Sequence, residues 1–183
     1  MRFLNRTLVV FCLMTLIGCA APAQFENMIH KQAPEKAFDP ELKGQVEIDA
    51  IQGGSETNPL WVSKISNSTF QRALEESLSI QGLLANEGRF SLKVTLLEVD
   101  QPMFGLDLKV VTSVSYIVLD NKTKVVLFDE IIKAAHTATF GDAFDAVTRL
   151  KLANEGSGKN NIKTFLEQLS KLDIKSGQLS LTN

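Results

Sequence analysis

Phe90-Ser91-Leu92-Lys93-Val94-Thr95-Leu96 decides the fold. Phe90, Leu92, Val94 and Leu96 alternate with Ser91, Lys93 and Thr95, the period of two that sets one strand face in a core and the other in water. Leu97 and Val99 then change phase, which predicts a bulge near Leu97. Two more runs of strand character follow. Leu106 to Leu119 is β-branched and aromatic throughout, and Val125 to about Thr139 opens on Val125-Val126-Leu127-Phe128. Between them Asp120-Asn121-Lys122-Thr123-Lys124 has hairpin length and turn chemistry. The three runs predict an antiparallel meander.

Upstream, Val46, Ile48 and Ala50 alternate with Gln45, Glu47 and Asp49, a further half-buried strand from Gly44 to Ile51 that Gly53-Gly54 ends. Pro59-Leu60-Trp61-Val62 is a short extended piece whose Trp61 is expected to anchor a core or an edge. Ser68-Thr69-Phe70-Gln71 has the pattern of a capping box, so a helix is predicted to start there. Phe70, Ala73, Leu74, Leu78, Ile80 and Leu84 fall on one side of its wheel, opposite Arg72, Glu75, Glu76 and Ser79. Downstream, Gly141-Asp142 opens a second helical region with Asp142 as the expected N-cap. Phe144 and Val147 share a stripe with Ile162, Phe165, Leu166 and Leu169, because eighteen residues make five full turns. Lys151, Glu155 and Gly158 sit on that same stripe. The pattern therefore fits either one long helix or two helices broken at Gly156-Ser157-Gly158.

Taken together, the elements run strand, helix, three strands, helix. This is an α+β chain: a four-stranded, mostly antiparallel sheet with two amphipathic helices on one face, its first two strands parallel because a helix joins them.

Location is written at the amino terminus. Leu16-Ile17-Gly18-Cys19 reads as a lipobox, preceded by basic Arg2 and Arg6 and by an apolar run from Thr7 to Ile17. That run, about 11 residues, falls well short of a transmembrane helix. Gly18 gives a signal peptidase access, Leu16 fills an apolar subsite, and the Cys19 thiol takes a diacylglyceryl group, so that two or more palmitate-like chains anchor the protein in a membrane. Ala20 and Ala21 carry no acidic retention signal, which favours the outer membrane and a periplasmic orientation. The expected organisation is a signal peptide at 1–18, acylated Cys19 and a flexible tether at 19–42, the α+β domain at 43–172, and a polar tail at 173–183. Cys12 leaves with the signal, so no disulfide is available. Removing residues 1–18 leaves 17 basic residues, the 19 less Arg2 and Arg6, against 21 acidic ones, a net charge of −4. With no Lys/Arg run, nucleic acid is not an expected partner.

With its lipobox, its Phe70-centred helix bearing Ala73-Leu74 and Leu78, its strand run to Ala138 and its terminal helix, the chain resembles small bacterial outer-membrane lipoproteins of the YajG type and, more distantly, the LPS-assembly lipoprotein. The resemblance implies envelope assembly or maintenance, with no catalytic residues to carry over.

The residues themselves supply little chemistry. Gly156-Ser157-Gly158-Lys159 lacks the first glycine of a phosphate loop, where Ala153 stands, and Asn160 replaces the magnesium-binding Ser/Thr. His30 and His136 have no neighbouring cysteine or second histidine in the sequence to form a zinc site. Asp142 and Asp145, three apart, fit helix capping better than paired acid/base catalysis. No catalytic residue, metal ligand or cofactor is expected. One loop is unusual: Pro102-Met103-Phe104-Gly105-Leu106 is more apolar than a turn should be, so Met103, Phe104 and Leu106 either tuck back onto the core or face a partner, a lipid or a membrane. The expected function is a non-enzymatic, membrane-anchored binding or scaffold module whose partner is an envelope protein or amphiphile; the alternative is a periplasmic hydrolase or transferase.

Overall fold

A computed structural model describes residues 21–57 and 63–174; the lipobox with Cys19, Trp61 and the tail from 175 lie outside it. Its elements are α1 (Phe25–Met28), a 3-10 turn (Pro40–Leu42), β1 (Val46–Gln52), α2 (Asn67–Ile80), β2 (Phe90–Asp100), β3 (Leu108–Asp120), β4 (Val126–Ala138) and α3 (Ala146–Leu169). The sheet order is β1-β2-β3-β4. β1 runs parallel to β2, while β3 is antiparallel to both β2 and β4. The α+β architecture read from the sequence is the one observed.

The bulge falls where the phase change placed it. Leu96 pairs with Val114 and Glu98 with Ser113, so Leu97 is left over and turns outward. A second irregularity, between Ile48 and Ala50, leaves Asp49 outside the register of β1 with β2. The hairpin turn closes around Asp120, whose carboxylate accepts the backbone N–H groups of Lys122 (2.8 Å) and Thr123 (3.2 Å). Lys124 completes the turn with a φ of 60°.

Both long helices lie on one face of the sheet, α3 across β3 and β4, and α2 beside β1. The core between the layers joins Phe70, Leu74 and Leu78 of α2 to Leu92, Val94, Tyr116, Val118 and Phe128 of the sheet and to Ile162, Phe165 and Leu169 of α3. Phe165 stacks on Tyr116 with centroids 4.2 Å apart and meets Phe128 edge-on at 5.7 Å.

A polar seam crosses this apolar layer. Asn161 donates through Nδ2 to the carbonyls of Thr112 (3.1 Å) and Ile132 (2.9 Å) and accepts the Tyr116 hydroxyl at 2.8 Å. Ser157 Oγ donates to the Ala134 carbonyl at 3.0 Å and accepts the Thr112 N–H at 3.0 Å. The side-chain polar groups of Asn161, Ser157 and Tyr116 in this seam thus have partners, which is the condition for keeping them inside.

One open question is settled and three expectations are corrected. Of the two forms the pattern allowed, the terminal helix is the continuous one, 24 residues without a break at Gly156-Ser157-Gly158. Those glycines admit neighbours: a Cβ on Gly156 would fall 2.1 Å from the His136 ring, and one on Gly158 2.6 Å from the Met28 sulfur. Its N-cap is Asp145, not Asp142, so Phe144 precedes the helix and is exposed. On α2 the N-cap is Ser66, whose hydroxyl accepts the Thr69 N–H, and Gln71 pairs with Glu75 instead of closing a box with Ser68. Ile80 is accordingly an exposed last residue of α2, and Leu84 lies beyond its end.

The third correction concerns the tether. From Ala23 to Leu42 the chain is packed, with Ala23, Met28, Ile29 and Leu42 buried. The carboxylate of Glu155 holds it, accepting the Gln24 N–H and the Asn27 amide, each at 2.8 Å. Phe25, Met28 and Phe38, spaced with neither helical nor strand period, pack against the core.

Candidate functional site

The end of the sheet where β2 passes into β3 and β4 into α3 carries the apolar loop singled out in the sequence. Met103 is 90% exposed, Phe104 84% and Leu106 74%. Of the two placements open to them, the structure has the outward one. Gly105 takes a φ of 154°, a conformation that glycine permits.

A second loop, 139–145, stands beside the first and adds Phe140 and the 84%-exposed Phe144, whose rings meet edge-on at 5.4 Å. Arg149 joins the two loops. This residue of the first turns of α3 is only 4% exposed. Its guanidinium donates to the carbonyls of Ala143 (2.8 Å), Phe144 (2.6 Å) and, across the gap, Gly105 (3.5 Å), while facing the Phe140 ring at 5.4 Å. Asp107 makes a second link by accepting the Phe140 N–H at 3.1 Å. The exposed apolar groups thus stand on two loops joined to each other through Arg149 and Asp107.

Carboxylates hold the turns below them. Asp142 accepts the Thr139 N–H (2.7 Å) and hydroxyl (2.8 Å), and these bonds lower its pKa from the usual carboxylate range. Asp145 caps α3 through the Thr148 N–H at 2.8 Å, which lowers its pKa likewise. Both are charged at neutral pH and engaged in backbone hydrogen bonds. They serve turn and helix geometry.

Elsewhere the titratable groups are dispersed. Among the described residues, no three of His, Cys, Asp and Glu come together as metal ligands. His136 borders a shallow cavity of about 260 Å³ with Asn27, Asp142 and Glu155. Ser157 is turned away from it into the buried seam. His30 is buried, and that burial, with Lys163 adding to it, lowers its pKa. The Tyr116 hydroxyl is driven well above its ordinary pKa by burial, so it stays a proton donor to Asn161.

Sequence reasoning found Met103, Phe104 and Leu106 but missed Phe140, Phe144 and Arg149. Phe144 was drawn onto the helix stripe by its register with Ile162. Its neighbours held the signal: two phenylalanines flanking Gly141-Asp142 repeat the apolar-turn composition of 102–106.

No family model matches the chain, and no curated protein matches it. Solved structures do. Protein XCC0632 from Xanthomonas campestris, of the DUF330 family, shares 10% identity over 74% of this chain and 88% of its own, with a TM-score of 0.54. An inferred lipoprotein from Caulobacter crescentus shares 14% identity, with 71% and 90% covered and a TM-score of 0.49. A minor lipoprotein from Acinetobacter baumannii shares 9%, with 70% and 93% covered and a TM-score of 0.47. The structural neighbours thus include bacterial lipoproteins, and the likeness to the Xanthomonas protein is one of fold.

Proposed function

We propose that the chain is a lipoprotein acylated at Cys19, with residues 1–18 removed, that acts without catalysis as a binding or scaffold module of the outer membrane on its periplasmic side, in the manner of the YajG-type lipoproteins it resembles. One observation carries the reading: Met103, Phe104 and Leu106 stand in water on loops braced by a buried arginine, an arrangement that stabilises a surface offered to something else. The lipobox supplies the compartment and solved lipoproteins are among the structural neighbours. Among the described residues no helix is long and apolar enough to cross a membrane. The acyl chains of Cys19 are the anchor this reading assigns.

The test pairs mass spectrometry of the mature amino terminus with a photo-crosslinking residue at position 104 in intact cells. A diacylglyceryl Cys19 and an adduct between position 104 and an envelope component are expected. A retained Met1, or a position 104 that crosslinks to nothing, removes the reading.

A further inference from the structure

The packed amino-terminal segment has a direction. Gln24 meets Glu155, Met28 lies against Gly158, Lys36 Nζ reaches the Lys171 carbonyl at 3.4 Å, and the Ile174 N–H donates to Asp39 at 2.8 Å. Successive residues from 24 to 39 therefore follow α3 from its middle to its carboxyl end. Read backwards, the chain heads for the amino end of α3, where Arg149 braces the apolar loops. Its last fixed point agrees: the Ala23 N–H donates to the Lys64 carbonyl, and the adjoining Ser63 carbonyl accepts the amide of Gln101, two residues before Met103. Cys19 is four residues before Ala23, a reach of about 14 Å at full extension.

We propose that this end of the domain faces the bilayer that holds its own anchor, with Met103, Phe104, Leu106, Phe140 and Phe144 entering the lipid interface. The inference rests on the reading of Cys19 as acylated. A tether of four residues keeps the domain beside the membrane, and it leaves the domain at the end bearing the exposed apolar groups. Three phenylalanines, a leucine and a methionine suit the boundary between headgroups and acyl chains, where apolar side chains leave water without needing hydrogen-bond partners. The carboxylates nearby are held in turns by backbone N–H groups, so the contact is apolar and calls for no anionic lipid. The acyl chains and the loops would act as two attachments on one body, fixing its orientation as well as its location.

With Cys19 acylated and Cys12 removed, the mature chain has no free thiol, so a single introduced cysteine can be labelled. Acylated full-length protein carrying Phe104→Cys, Phe144→Cys or, at the far end of β3, Lys122→Cys is labelled with an environment-sensitive dye. It is then reconstituted in phosphatidylethanolamine and phosphatidylglycerol vesicles, with and without brominated acyl chains. Positions 104 and 144 are expected to shift to the blue and be quenched by bromine, position 122 to do neither. Equal, water-like emission at all three sites overturns the proposal while leaving Cys19 acylation standing. A blue-shifted position 104 that bromine does not reach, accompanied by crosslinks between copies of the chain, overturns it in favour of a protein interface. An amino terminus without acyl chains overturns both this inference and the function on which it rests.

Discussion

The sulfur of Met28 lies so close to the backbone of Gly158 that a Cβ there would come within 2.6 Å of it. This contact seats α1 on α3. Gly158→Val should therefore push the segment from Ala23 to Leu42 off the helix, at a cost of about 2 kcal/mol. Hydrogen exchange over that segment should rise with the fall in melting temperature. Lys159→Val, one residue along and exposed, should stay within about 0.5 kcal/mol.

Arg89 binds the carboxylate of Asp120 through Nη2 (2.7 Å) and Nε (3.1 Å), and the same carboxylate holds the β3–β4 turn. These bonds press the Asp120 pKa far below its ordinary value, with Arg89 the largest cause. A depressed folded-state pKa gives stability that is present above the unfolded-state value, near 3.8, and is lost as pH falls through the folded one. The wild-type protein should lose this contribution below about pH 4, whereas Asp120→Asn should begin lower and lose less across that range. Melting temperatures between pH 7 and pH 2 decide it.

Arg149→Met keeps the aliphatic stem and removes the donors to Ala143, Phe144 and Gly105. Charged donors to carbonyls are worth about 1.5–3 kcal/mol each when lost from a buried place, so a fall of at least about 2 kcal/mol is expected. Exchange should increase in 101–107 and 139–145 together. Loosening confined to one loop would show that the arginine does not couple them.

Asn161→Leu would leave the Tyr116 hydroxyl without its acceptor and two strand carbonyls without a donor. A loss of about 3 kcal/mol is expected in denaturant unfolding. Asn161→Asp should also destabilise, because its carboxylate would confront the carbonyls of Thr112 and Ile132.

Phe104→Asp should leave the melting temperature of a soluble Cys19→Ala protein unchanged, within about 0.5 kcal/mol, since the ring is in water. A fall of the size typical of core phenylalanines, about 3 kcal/mol, would show that the loop packs in solution.

The meander was legible because alternation survives wherever one strand face is buried, as Phe90 to Leu96 illustrates. The Leu97 bulge was legible as a break in that alternation. Helix ends were less so: Ser66 and Ser68 are both capping residues, and only the fold of the preceding loop chooses between them. Glycine carried the most ambiguous signal. In Gly156-Ser157-Gly158 it reads as a helix breaker, yet its use is close approach to His136 and Met28, which depends on partners far away in the chain. The candidate site was half visible for a similar reason. Met103 and Phe104 declare themselves by composition, whereas Arg149 acts through carbonyl groups that every residue possesses.

The clasp of Glu155 on Gln24 and Asn27 also orders events in time. The partners are separated by 131 and 128 residues, and closing a loop of that length costs about 4 kcal/mol of chain entropy. Contacts to α2, such as the His30 N–H on Ser77 Oγ at 3.0 Å, can form earlier, but this clasp needs α3, the last in chain order of the described helices. Gln24 and Asn27 must therefore wait for residue 155 before they are clasped. If Cys19 is acylated as proposed, the residues just after it are clasped to α3 only once most of the domain has been made.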